Sequence, residues 1–495
     1  MWTKRLGLIG IFLTIGIVIL CWGNEDLRVS AGSPPRQANA VTASTQIFLP
    51  FVSTTYVPKP APLWRFGAGT VRRALTDYNG NDFRNLRLGW YSNWTVSLNY
   101  SEMDYAAKFG VEYAPTVRLK QLKQLPGGAW TEWCITCTYV TPYTYTVSPS
   151  RATIQTLAAA RPGLTWIIGN EIERVDWGNG GRQDEILPEV YADAYYELYN
   201  LIKGIDSTAQ IAIGGVIEAT PLRLQYLDQV WSTYQTKHGS AMPVDVWNVH
   251  AFVLDEESCA QTGVCWGADI PAGNSASSGI VYTPSDNKNF TIAWGHIQTF
   301  RSWMKTKGQQ GKPLWITEYG VNIPPDWAGF SYAEVRDSFM YPSFFAFLNQ
   351  TDVNIGYSAD TYRLVQRWNW YSFDDDHGYW QQGTYHQYFN GNLFYSGLGG
   401  NPMGVSPLGL YWSQYVAPLP PGGGKPYAPA VSAPVPRVDS VPAAAGQSPV
   451  TCPGPQRVRV LRYDPSPANA APMPNRSAPR NTAPREEFFC LPASK

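Results

Sequence analysis

Between Ala61 and Val416, short apolar runs alternate with longer amphipathic stretches. The runs are Leu63–Phe66, Leu86–Trp90, Glu112–Val117, Thr165–Gly169, Ile211–Gly215, Val244–His250, Leu314–Glu318 and Gln366–Phe373. Their length and nearly continuous apolar character are those of parallel strands buried on both faces. Helical periodicity fills Leu187–Ile205, Pro221–His238 and Thr291–Gly308 between them. Eight strands alternating with helices over about 350 residues predict an α/β fold, a (β/α)8 TIM barrel with enlarged loops. An open dinucleotide-binding sheet would need G-x-G-x-x-G directly after a strand, and no strand is followed by one. Active sites of such barrels lie at the C-terminal ends of the strands. Glu171 closes the fourth run, Glu318 the seventh and His250 the sixth, while Trp370 lies in the eighth.

The flanks differ in composition. Lys4 and Arg5 precede an uncharged run from Leu6 to Trp22, the pattern of a signal peptide or an uncleaved anchor. Residues 23–60 are rich in Ser, Thr, Pro and Ala and read as a linker. From 417 to the end Pro and Ala recur, beginning with Pro418-Leu-Pro-Pro-Gly-Gly-Gly, and the reading is a mostly disordered tail with one short strand at Val458–Tyr463. The expected organisation is therefore 1–22 targeting segment, 23–60 linker, 61–416 catalytic domain and 417–495 tail. Such a chain is secreted or displayed at the cell surface, with the N-terminal segment as its route to membrane attachment.

Charge excludes one class of partner. Of 495 residues only 15% are charged, and Lys+Arg and Asp+Glu number 38 each. A formally neutral chain is not built to neutralise phosphates, so no nucleic-acid partner is expected. Cysteine usage fits export: besides Cys21, Cys134/Cys137 and Cys259/Cys265 form close pairs, and Cys452 and Cys490 lie in the tail. Local disulfides are the simplest reading. A zinc site from the two central pairs is the competing one, but Cys259-x5-Cys265 lacks the ligand spacing. No metal or cofactor is expected. Asp374-Asp-Asp376-His377 carries hard-cation ligands, yet such a run is more often a solvated loop. Aromatics make up 14% of the chain, 20 Trp and 30 Tyr among them, enough for some rings to face sugars as well as fill a core.

Two carboxylates delivered to one cleft are what glycoside hydrolysis needs. Asn170, just before Glu171, has an amide able to donate to a sugar hydroxyl. Tyr319 and Gly320 follow Glu318, and the glycine suits a tight turn at the strand end. Signals for peptide or ester hydrolysis, H-E-x-x-H and G-x-S-x-G, are absent from the sequence.

Asn170-Glu171 on strand four and Trp315-Ile-Thr-Glu-Tyr-Gly320 on strand seven resemble the clan A glycoside hydrolases, the retaining "4/7 superfamily", over Leu63 to Val416. Within the clan, Leu88-Gly-Trp-Tyr-Ser-Asn-Trp94, Val111-Glu-Tyr-Ala-Pro115, Asp245-Val-Trp-Asn-Val-His250 and Lys312-Pro-Leu-Trp-Ile-Thr-Glu318 are similar to the catalytic core of glycoside hydrolase family 128. This chain has Gly169-Asn-Glu-Ile172 where that family tends to carry Asn-Glu-Pro. The resemblance implies Glu171 as general acid/base, Glu318 as nucleophile, His250 beside the nucleophile and Trp370 as the floor of the sugar site. Trp90, Trp94 and Arg118 are further cleft candidates. The long segments Lys120–Pro149 and Phe252–Thr291 would wall a groove. The expected activity is retaining hydrolysis of a β-linked polysaccharide or oligosaccharide by a monomer. The rival expectation is a surface-presented barrel that binds carbohydrate with little catalysis.

Overall fold

A computed structural model describes residues 63–78, 83–131, 134, 137–175, 183–263, 266–323, 329–376, 391–398 and 401–419, and the backbone alone at 80–82, 379–381, 384–386, 457–462 and 485–490. The targeting segment, the linker, most of the tail, Cys265, His377 and Cys452 lie outside the described residues. Among the described residues no helix is long and apolar enough to cross a membrane.

The architecture is α/β around parallel pairing. The strands are β1 (Phe66–Gly69), β2 (Trp90–Ser92), β3 (Glu112–Tyr113), β4 (Thr116–Gln121), β5 (Thr165–Asn170), β6 (Gln210–Gly215), β7 (Trp247–Val249), β8 (Leu314–Tyr319) and β9 (Arg367–Trp370). β1 pairs with β2, β2 with β3, β4 with β5 and β5 with β6. β7 pairs with β8, β8 with β9, and β9 returns to β1. Between β6 and β7 two parallel bridges, Ala212 with Val246 and Val216 with Val249, carry the connection. β3 and β4 are two halves of one extended segment. Its first half serves β2 and its second serves β5, and Pro115 between them has no N–H to donate but accepts from the Ile167 amide at 2.9 Å.

All eight apolar runs hold a strand, shifted by a few residues. Leu63–Arg65 is a 3-10 turn, so the first strand starts at Phe66. Leu86 ends a short helix, Gly80–Leu86, and the second strand starts at Trp90. Of the helices, α1 (Pro188–Ile205) and α2 (Pro221–His238) each carry proline in the first turn, where its missing donor costs nothing. Thr220 caps α2, and Gly239 ends it in the left-handed conformation. α3 is Phe290–Thr306 and α4 is Tyr341–Asn349.

Period-2 alternation divides the strand side chains between two faces. One set, including Phe66, Ile168, Ile213, Ile316 and Trp368, merges with apolar residues of the helices into the main core. The other, Trp90, Ala114, Ile167, Ala212, Val246 and Trp315, packs only with itself on the opposite face.

The short strand expected in the tail at Val458–Tyr463 is present at Arg457–Arg462, and a second strand, Arg485–Cys490, joins it. Arg457–Arg462 pairs antiparallel with Arg485–Cys490 and bridges Trp130 through Val460, joining a small sheet with Lys123–Gln124 and Thr138–Tyr139. Cys134 and Cys137 are disulfide-bonded to each other, the local pairing expected, and Cys259 is also disulfide-bonded, its expected partner Cys265 lying outside the described residues.

Candidate active site

The C-terminal ends of the parallel strands bring three polar groups together. Glu171 follows β5, His250 follows β7 and Glu318 lies near the end of β8. All three are buried, at 1%, 1% and 6% exposure. His250 Nδ1 is 3.4 Å from Glu171 Oε1 and 3.9 Å from Glu318 Oε2. One carboxylate oxygen of each glutamate and the imidazole nitrogen all lie within 4.8 Å of one another.

Local structure explains the convergence. Glu171 sits at φ +47°, a region that non-glycine residues occupy at a cost and that is common at functional sites. In β8, strict alternation would turn Glu318 to the same side as Leu314 and Ile316, under the helices. The register against β9 shifts between Ile316 and Tyr319, and this irregularity reverses the phase. Tyr319 therefore joins Leu314 and Ile316 in the main core, and Glu318 is released towards His250. Two glycines make the necessary room. A Cβ on Gly215 would stand 2.7 Å from the His250 ring, and one on Gly69 would stand 2.2 Å from the Trp94 ring.

The two carboxyls are electrostatically unlike. Burial pushes the Glu171 carboxyl up, but Arg174 and then His250 outweigh it and hold the group down at about 2. The Arg174 guanidinium donates to Glu171 Oε2 at 2.8 Å. Burial raises the Glu318 carboxyl to about 7, against the pull of His250 and with the charge of Glu171 adding to the rise. Trp94 Nε1 donates to Glu318 Oε2 at 3.0 Å. Burial disfavours the charged His250 ring, yet Glu318 and then Glu171 raise its pKa overall. The cation held at Glu171 is thus the protein's own Arg174.

The other expected site residues divide. Trp94, half-buried at φ +52°, is in the site, with its ring 5.6 Å from that of Tyr371. Asn170 is buried beside Glu171, where its amide donates to Gln183 Oε1 at 2.8 Å. Arg118 donates to Asp184 at 2.7 Å, and Asp184 also accepts from the Leu119 and Asn170 amides, tying β4 to β5.

Three expectations are corrected. Trp370 shares the phase of Trp368, so it is buried against Tyr319 at 5.1 Å and donates to the Gly391 carbonyl at 2.6 Å. Tyr319 is carried into the same core by the β8 register shift, with its hydroxyl accepting from Ser343 on α4. Trp90 points to the inner face but enters at the first residue of β2, the opposite end from the glutamates, among Ile167, Val246 and Trp315.

Sequence reasoning missed Arg174 and Tyr371. The alternation in Arg367-Trp-Asn-Trp-Tyr371, which puts both tryptophans on one face, was a signal available for Tyr371. It also missed a buried ionic cluster behind Glu171. Arg223 donates to Glu173 at 2.9 Å, to Glu256, and to the Ala268 and Asp269 carbonyls. All three charged side chains are fully buried. Asp374, Asp375 and Asp376 are occupied by protein donors: Asp374 accepts from the amides of Val71, Arg72 and Arg73 and from the Tyr78 hydroxyl. Asp375 pairs with Arg72, and Asp376 accepts from Ser396.

No family model matches the chain, and no curated protein matches it. Among solved structures it is similar to an endo-β-1,4-mannanase from Thermotoga petrophila, at 12% identity over 72% of this chain and 77% of that one, with a TM-score of 0.37. It is also similar to xylanase 10B from Thermotoga maritima, at 13% identity over 71% and 94%, TM-score 0.37. A family 51 α-L-arabinofuranosidase from Bifidobacterium longum gives 12% identity over 72% and 73%, TM-score 0.41. Likeness at this level carries no argument about chemistry, which rests on the site itself.

Proposed function

We propose that the chain is a retaining O-glycoside hydrolase of the clan A type, with a (β/α)8 barrel spanning 61–416 as its catalytic domain and a family 128-like core. The observation that carries the reading is the separation of the two acids. Retaining enzymes hold their carboxyls about 5–5.5 Å apart, whereas inverting ones leave about 6.5–9.5 Å for a water. Oxygens of Glu171 and Glu318 lie within 4.8 Å, too close for a water-activating base on the far side of the sugar. The return of the parallel pairings from β9 to β1 supports the barrel.

In this reading the Glu318 carboxylate attacks the anomeric carbon while Glu171 protonates the departing oxygen, and Glu171 then takes a proton from the water that releases the sugar. Trp94 orients Glu318 through its indole N–H and offers its ring to the sugar. The substrate is a β-linked polysaccharide or oligosaccharide met outside the cell, the protein leaving by its N-terminal segment.

The test is a screen of the purified protein on β-glucans, mannans, galactans and xylans, with the product anomer read by NMR in the first minutes. Net retention and loss of turnover in Glu318→Gln are expected. Inversion, or a Glu318→Gln variant as active as the parent, overturns the reading.

A further inference from the structure

We propose that Asn248 is a positioning residue that, through one buried water, holds Nε2 of His250 as a hydrogen-bond acceptor and so keeps the neutral ring's proton on Nδ1, beside the two acids. The geometry stands without the glycosidase reading, and its consequence for turnover rests on that reading.

The face that carries Trp90, Ile167 and Trp315 turns polar towards the acids. Asn248 on β7, Thr317 on β8 and Asn369 on β9 lie there, each at most 5% exposed. Thr317 Oγ1 donates to Asn248 Oδ1 at 2.7 Å, across the pairing of β7 with β8. The amide oxygen is thereby committed to β8, and Nδ2 turns to the other neighbour, β6. There it lies 3.1 Å from the position that a Cβ on Gly215 would take, and His250 Nε2 lies 2.7 Å from the same point. Both nitrogens are buried, and neither has a protein hydrogen-bond partner among the described residues. Asn369, opposite the irregular stretch of β8, has both amide atoms in the same condition. Buried polar atoms without a protein partner are served by internal water, which settles where two or more of them converge, whereas dry cavities are apolar. Asn248 Nδ2 and His250 Nε2 converge at the bare Cα of Gly215.

The two sides of the ring are of opposite polarity. Nδ1 faces acceptors, Glu171 Oε1 at 3.4 Å and Glu318 Oε2 at 3.9 Å. On the other side Asn248 Nδ2 only donates, so a water between the two nitrogens accepts from the amide and donates to the ring. Both sides select one tautomer, with the proton on Nδ1 and Nε2 bare. Burial disfavours a charged ring, while Glu318 of β8 and Glu171 and Glu173 of the turn after β5 favour it. Arg174 of that turn and Arg223 of α2 stand behind the acids, β6 contributes the uncharged Gly215, and the Phe252 ring is 6.2 Å away. Asn248 acts against the acids, because a second proton on Nε2 would take from the water its acceptor. Cleavage needs one proton on the pair of acids, whichever member holds it. A proton taken up at Nε2 at the expense of that pair is lost to the leaving oxygen.

The test is 15N NMR of the full chain labelled at its five histidines, His250 being assigned by its loss in His250→Gln. Above the His250 midpoint the parent should show a protonated Nδ1 and a bare Nε2, and a proton on Nε2 there overturns the proposal. Asn248→Asp keeps the oxygen that Thr317 uses and replaces the donor by an acceptor, so Nε2 should carry a proton throughout the titration. Asn248→Leu removes the donor, and the midpoint should rise by at least about half a pH unit, about threefold in proton affinity. Either readout unchanged in a folded variant means that the acids alone set the ring, and the proposal falls. Thr317→Val frees the amide to turn over and stands in should neither variant fold: a mixture of tautomers is expected, and a single unchanged one counts against the role. In crystals that show ordered water, one should bridge Nε2 and Nδ2, and a dry gap there overturns the proposal. These readouts need no turnover. A protein inactive on every sugar but with the expected bare Nε2 and variant shifts keeps the role of Asn248 and discards the glycosidase reading.

Discussion

Replacing Glu318 by glutamine should abolish turnover and stabilise the protein above neutral pH. The carboxyl ionises at 4.5 in an ordinary environment and at about 7 in this fold. The folded state thus binds the proton more tightly than the unfolded chain. Stability from this group is fully present below pH 4.5 and is lost as pH rises through about 7. A difference of about 2.5 units corresponds to about 3 kcal/mol once both states are ionised, and to about 1 kcal/mol near pH 5. Glutamine cannot ionise, keeps nearly the same volume, and still accepts from Trp94 Nε1 through its carbonyl oxygen. The variant should therefore gain about 2 kcal/mol more over the parent at about pH 8.5 than at about pH 5, an increment of the kind that active sites give up for function. Urea unfolding followed by tryptophan fluorescence at the two pH values measures it. Equal differences at both, or a variant that loses ground at high pH, would refute the claim that burial holds a proton on Glu318.

Further outcomes follow from neighbouring contacts. If the singly protonated pair is the active form, kcat/KM should trace a bell whose alkaline limb falls at about 7 and whose acid limb lies near 2, the two values belonging to the pair. Trp94→Phe removes the donor that lowers Glu318, so its alkaline limb should move up by about one unit or less, and a downward shift would count against the contact. Gly215→Ala should cost at least about tenfold in kcat with little change in stability, because the new methyl displaces the imidazole rather than the core. Arg223→Met strips the cation from buried Glu173 and Glu256 and should cost about 3–5 kcal/mol in denaturant unfolding, and a loss below about 1 kcal/mol would show that the pair of acids is hydrated or protonated there.

The strands were legible because burial on both faces leaves a nearly continuous apolar run, and such runs are rare elsewhere in this chain. Thr165–Asn170, Gln210–Gly215 and Leu314–Tyr319 fall within a residue of where the apolar pattern puts them. The two glutamates were legible for the same reason: a carboxylate at the end of such a run has only the open end of the sheet to occupy. Arg174 was not, since a charged residue three positions beyond the acid looks like any loop residue until the 267–272 segment is seen to seat it. The Arg223 cluster was equally hidden, because pairing across α2, the turn after β5 and the segment after β7 leaves no local spacing to read.

Three of the four aromatic candidates, Trp90, Tyr319 and Trp370, fail for a more general reason. Position in a strand does not by itself give position in the cleft, because in a parallel strand successive side chains belong to different compartments. Trp370 and Tyr319 stand at the correct end of their strands and on the wrong face; Trp90 has the correct face and the wrong end. Strict alternation would have misplaced Glu318 as well, since it shares the parity of Leu314 and Ile316. The shift between Ile316 and Tyr319 is what exchanges the two, sending the phenol into the core and the carboxylate to His250. A register irregularity has no signature in the residue types of Leu314-Trp-Ile-Thr-Glu-Tyr319. Glu318, the proposed nucleophile, therefore owes its position to backbone pairing with β9, and changes that restore regular pairing there should bury Glu318 under α4 and disable the site while leaving the sheet intact.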